Sequence, residues 1–141
     1  MRSGILAISR LTVLRIAFVA YWGFVTFLLL TPHPLDVLGL HEYAETLAGG
    51  YGRHFLLFAG LGLLGSLGRG RISTAKLACL LGAYGVATEV VQAFIPPRTP
   101  ELADMVEDLL GVAAGLAIGA TAAWLGLNER KSKEDGKRPP C

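Results

Sequence analysis

The sequence predicts an all-α integral membrane bundle of four transmembrane helices, with the N- and C-termini both on the cytoplasmic side. Three observations predict it. The 141-residue chain is 52% hydrophobic and 17% charged, with a mean hydropathy of +0.51, a balance too apolar for an ordinary soluble domain. Four apolar runs approach the ~20 residues that a helix needs to cross about 30 Å of hydrocarbon. Of the 13 Lys and Arg, only Arg53 and Arg98 fall on the outer side when both ends are cytoplasmic, which is the asymmetry that orients membrane proteins. The runs are continuous rather than alternating, which excludes a closed barrel and leaves helices to satisfy the backbone in lipid.

The first span, 11–30, reads LTVLRIAFVAYWGFVTFLLL and ends at the turn-forming TPHP. Its length fits an uncleaved span rather than a cleaved signal peptide. Arg15 lies near its cytoplasmic end, where a long stem lets the guanidinium reach the interface. The second span, 50–68, is glycine-rich and contains RHFLLFAGLGLLGSLG. The third, 74–95, stops at Pro96-Pro97, and the fourth covers 104–127. Residues 1–127 therefore form one membrane domain. The remainder, 128–141, reads NERKSKEDGKRPPC and is expected to be a disordered cytoplasmic tail, since it mixes both charges without apolar periodicity.

Composition also removes several functions. A formal charge of +2 without a basic, aromatic-rich surface argues against nucleic acid. Cys79 and Cys141 have neither a disulfide framework nor a metal or redox spacing. His41 and Glu45 in HEYAE lack the second histidine of a zinc-protease helix, and His33 is an isolated histidine of the same outer loop. No cofactor is expected.

The informative stretch is EVVQAFIPPRTPELADMVEDLLG, Glu89 to Gly111, which holds the outer end of the third span and the outer start of the fourth. Glu89 and Gln92, three apart, share a helix face. Asp104 and Asp108, four apart, do the same, and like charges at that spacing repel unless a cation intervenes. Two helix starts are open. Thr99 fits an N-cap with Pro100 in the first helical position, and Asp104 fits an N-cap with Glu107 as its capping-box partner. Gly111, Gly115 and Gly119 continue the aspartate face, and small residues every four positions let helices approach closely in lipid. Arg53 and His54 open the second helix at the same depth. An outer polar pocket of Arg53, His54, Glu89, Gln92, Arg98, Asp104 and Asp108 is therefore expected, with Glu89 facing Arg98 or Arg53.

At these residues the chain resembles the VanZ-like family of small bacterial membrane proteins. RHF opening the second helix, EVVQAFIPPR closing the third, then Asp104, Gly111 and Gly115 carry the likeness, which spans Arg53 to Gly119, about half the chain. The family commonly has lysine at Arg53, which keeps the charge but alters donor geometry, and asparagine at Asp108. The resemblance implies a multi-pass protein of the bacterial inner membrane whose founding member confers low-level resistance to the glycopeptide teicoplanin.

Three functions follow. The pocket binds an anionic headgroup, such as a polyprenyl-phosphate-linked wall precursor, through Arg53 and Arg98. Alternatively, Glu89 or His54 is the acid or base of an enzyme acting on such a lipid. Or the polar belt only locks the bundle of an accessory that works through a protein partner. A metal on Glu89, Asp104 and Asp108 is set aside, because the family's asparagine at position 108 weakens such a site.

Overall fold

A computed structural model describes residues 9–32, 37, 39, 52–96 and 101–135. Among them the chain is all-helical, with α1 at Arg10–Leu30, α2 at Arg53–Gly68, α3 at Thr74–Gln92 and α4 at Leu102–Asp135. Among the described residues, three stretches are long and apolar enough to cross a membrane: Arg10–Leu30 of 21 residues, Thr74–Gln92 of 19 and Leu102–Leu125 of 24. The second expected span is shorter than 50–68 and forms a 16-residue helix.

Local chemistry sets the boundaries. Ser9 Oγ accepts from the Thr12 N–H at 3.1 Å and caps α1, and Ser73 Oγ accepts from the Lys76 N–H at 3.3 Å and caps α3, each satisfying an orphan donor of a first turn. Gly52 precedes α2 at φ +107°, a backbone state that disfavours any residue with a Cβ. α3 stops at Gln92, three residues before the expected end, and tightens into a turn closed by Phe94 N–H to Val91 O and Ile95 N–H to Gln92 O, each 3.0 Å. The prolines that follow lack the donors to continue a helix.

α4 departs from both expected starts. It begins at Leu102, with Glu101 O accepting from the N–H groups of Asp104 and Met105, so Asp104 lies in the first turn and is not the N-cap. Its far end also differs: the helical backbone runs to Asp135, where a disordered tail was expected from 128. Glu129, Arg130, Lys131, Lys133 and Glu134 are good helix formers, and extending an existing helix avoids the nucleation cost. Residues 136–141 lie outside the described residues, as do Arg2, His33, Asp36, His41, Glu42, Glu45, Arg98 and Thr99.

The bundle core is a column of Val25 and Leu29 from α1, Phe58 and Leu61 from α2, Leu77 and Leu81 from α3, and Val112 and Leu116 from α4. Phe18, Trp22 and Tyr84 lead onto Phe58 of the column in tilted and edge-on contacts, with successive ring centroids 5.2–5.7 Å apart. Outside the column, Val19, Leu56, Leu80, Val90, Leu110 and Ile118 are all exposed. An apolar surface surrounding a small core suits lipid rather than water.

The closest helix pair is α2 against α4. A Cβ on Gly62 would lie 2.7 Å from Val112 O, and one on Gly115 would lie 2.7 Å from Leu63 N. Gly111 meets Phe55 O and Ala59 N, and Gly119 meets Ser66. Gly111 and Gly115 of the predicted stripe thus pack backbone to backbone, with Gly62 as their counterpart on the other helix, while Gly119 makes room for the Ser66 side chain.

Candidate functional site

The α2–α4 seam positions the polar cluster. Close helix approach at the glycines brings the first turn of α2 against the second turn of α4, where His54 Nδ1 lies 2.9 Å from Asp108 Oδ1. The last turn of α3 completes the group, with Glu89 Oε1 4.0 Å from His54 Nδ1. Asp104 Oδ2 lies 3.5 Å from the other ring nitrogen, Nε2. The side chains of His54, Glu89 and Asp108 are 5%, 4% and 2% exposed, and that of Asp104 is 29% exposed. The site is therefore a buried imidazole between carboxylates, open on the Asp104 side.

Its secondary contacts explain the orientation of each group. Glu89 Oε2 accepts from the Glu101 N–H at 3.3 Å, tying the end of α3 to the start of α4. A Cβ on Gly85 would lie 2.9 Å from Asp108 Oδ2 and 3.2 Å from Asp108 Cβ, so only a glycine on α3 leaves room for Asp108. Thr88 Oγ1 donates to Gly85 O at 2.7 Å and is thereby occupied within its own helix. Glu89 Oε1 and Asp108 Oδ2 are buried without a hydrogen-bond partner.

The expected pocket is partly assembled. His54, Glu89, Asp104 and Asp108 converge, but Arg53 is exposed and forms no ion pair among the described residues. The expected Glu89–Arg53 pairing is therefore replaced by Glu89 facing His54. The cause is the helix itself, which turns consecutive side chains by about 100° and sends one of two neighbours outward. Arg98, the other expected partner, lies outside the described residues.

Gln92 also leaves the pocket: its Nε2 donates to Leu29 O at 2.8 Å, one of the carbonyls that the last turn of α1 leaves without a helical partner. Glu107 is the residue that sequence reasoning misplaced. Both its carboxylate oxygens accept from the Gly52 N–H at 3.0 Å, so it holds the entry of α2 rather than boxing Asp104.

Chemically, the arrangement resembles an imidazole–carboxylate pair poised for proton transfer, or a set of nitrogen and oxygen donors for a cation. No protein-family model, curated protein or solved structure matches the chain.

Proposed function

We propose that the chain is a VanZ-like protein of the bacterial inner membrane, crossing it four times with both termini cytoplasmic, and that its outer polar site engages the headgroup of an anionic envelope lipid or polyprenyl-phosphate-linked wall precursor. The four-span reading is supported by how the helix ends meet. Gln92 at the end of α3 reaches Leu29 at the end of α1, while Arg15 Nε near the start of α1 donates to Gly68 O at the end of α2. α1 and α3 thus run the same way and α2 runs back between them. Sixteen residues of α2 give about 24 Å of helix, which local bilayer thinning and the flanking backbone accommodate. Arg10, Arg15, Arg69, Arg71 and Lys76 gather at the end opposite His54, favouring that end as cytoplasmic.

The observation that carries the function is the buried His54–Asp108–Glu89 group at the level of the helix ends. Ionisable side chains in membrane helices are costly and by default mark ligand or proton paths. Partly exposed Asp104 and exposed Arg53 leave an approach from the outer face, where a phosphate can meet Arg53 above the imidazole. The 2.9 Å His54–Asp108 contact also favours a second reading, in which His54 acts as acid or base on the bound lipid. Glycopeptide resistance or envelope homeostasis is the corresponding cellular role.

Mass spectrometry of lipid co-purified with the detergent-extracted protein tests the proposal. Headgroup binding gives enrichment of an anionic polyprenyl lipid that Arg53→Ala or Arg98→Ala loses while helicity is retained. Bulk lipid composition together with a reproducible protein partner would instead establish the accessory reading. Retained lipid with loss of any teicoplanin phenotype in His54→Gln favours chemistry over binding alone.

A further inference from the structure

We propose that His54, Glu89 and Asp108 form a binding site for a single divalent transition-metal ion, Zn2+ or Mn2+, with Asp104 orienting the imidazole from its far side. The inference stands independently of the lipid reading, because it rests on the donor set alone.

One ligand atom from each of the three residues lies within 4.8 Å of the others, and all three residues are buried. Ligands at about 2.0–2.2 Å from a tetrahedral ion are about 3.4 Å apart, so the set reaches that spacing when its 4.8 Å spread contracts and the 2.9 Å His54–Asp108 contact relaxes. One imidazole nitrogen with carboxylate oxygens suits Zn2+ or Mn2+ better than Ca2+, which takes oxygen donors only, or Cu+, which takes sulfur.

Two further observations point to a cation rather than to a self-contained polar lock. Glu89 Oε1 is buried and unpartnered although it faces His54 Nδ1, and an unpaired buried carboxylate oxygen forfeits its full hydration. The second is the placement of Asp104. With Nδ1 turned to Glu89 and Asp108, Nε2 faces Asp104 Oδ2 at 3.5 Å, the arrangement in which a metal-bound histidine directs its other N–H to a carboxylate. Among the described residues no lysine or arginine pairs with these three carboxylates, so a single imidazolium is the only positive charge that they otherwise face. A divalent ion balances them better.

Full-length protein, purified in detergent and stripped with chelator, is titrated with Zn2+ and separately with Mn2+ by calorimetry, with metal content measured after desalting. One ion per chain is expected for at least one metal, together with a higher melting temperature in its presence. Asp108→Asn and Glu89→Gln, both near-isosteric, are expected to abolish saturable uptake. Asp104→Asn should weaken it by about 10–100-fold, and His33→Ala with His41→Ala should leave it unchanged. Circular dichroism establishes that each variant is folded, and where a ligand variant is not, the graded loss in Asp104→Asn decides. Absence of saturable uptake of both ions by the native protein overturns the proposal, as does uptake that survives in folded Glu89→Gln and Asp108→Asn or that is unaltered by Asp104→Asn.

Discussion

Gly115→Ala is the sharpest perturbation of the seam on which the site depends. A Cβ at that position would meet Ala59 O most closely and would stand 2.7 Å from Leu63 N and 2.9 Å from Ala59 C, where ordinary contact begins at 3.4 Å. These atoms belong to the backbone of α2 and cannot rotate away, so relief requires the two helices to part by about 1 Å. Overpacking of this kind costs about 3 kcal/mol at the upper end of its usual range, while alanine gains about 1 kcal/mol over glycine in a helix interior. The net expectation is a loss of about 2 kcal/mol.

The same displacement reaches the site. Asp108 is two turns from Gly115 on α4, and moving α4 off α2 stretches the 2.9 Å His54–Asp108 contact beyond about 3.5 Å, where a hydrogen bond is largely lost. Equilibrium unfolding in mixed micelles, followed by circular dichroism, reads the stability. Lipid retention and metal uptake read the site. A Gly115→Ala protein as stable as the native one, with its site readouts unchanged, would refute the backbone contact and the positioning argument built on it.

The matching control is Gly23→Ala: nothing lies within 4 Å of a Cβ there, so the substitution should be neutral or stabilise by up to about 1 kcal/mol, and a measured destabilisation would show that α1 packs on that face. Gln92→Ala leaves the buried Leu29 carbonyl without its donor and is expected to cost about 1–3 kcal/mol; a neutral result in unfolding titrations would place water at that carbonyl. A double-mutant cycle of His54→Ala and Asp108→Ala should show a coupling of about 1.5–3 kcal/mol, the range for a hydrogen bond to a charged group, and simple additivity would mean that the pair does not interact. In a Cys79→Ser background, Cys141 should react with a membrane-impermeant thiol reagent only after the membrane is opened, as the proposed orientation, drawn from the basic residues, requires; labelling in intact spheroplasts reverses that orientation and moves the site to the cytoplasm.

What the sequence makes legible divides along physical lines. The helices at Arg10–Leu30 and Thr74–Gln92 and the apolar stretch Leu102–Leu125 come from local hydropathy, which is read directly along the chain. The glycine stripe of α4 was likewise visible, because small residues every four positions permit close packing of some kind in lipid. Its partner was not. Gly62 is opposed to Val112 and Gly115 by tertiary register, and no local pattern on α2, which has glycines on several faces, distinguishes it. Glu107 illustrates the same limit: its bond is to Gly52, 55 positions away, whereas the capping-box pattern points to its neighbour Asp104.

The exchange of Arg53 for His54 as the group facing the carboxylates is more instructive, since a signal for it does exist. The buried face of α2 comprises His54, Phe58, Leu61, Gly62, Gly65 and Gly68, at spacings of four, three, one, three and three that follow one side of a helix. His54 continues that stripe by one turn beyond Phe58, and Arg53 falls about 100° off it. Formal charge singles out arginine as the partner for an anion, but burial selects for the group that can be desolvated. An imidazole, which can shed its charge, is buried at lower cost than a guanidinium and, when protonated, donates an N–H to each of two carboxylates. The buried face of α2, which carries Phe58 and Leu61 into the core, therefore determines which donor enters the site, and the exposed arginine is left at its rim.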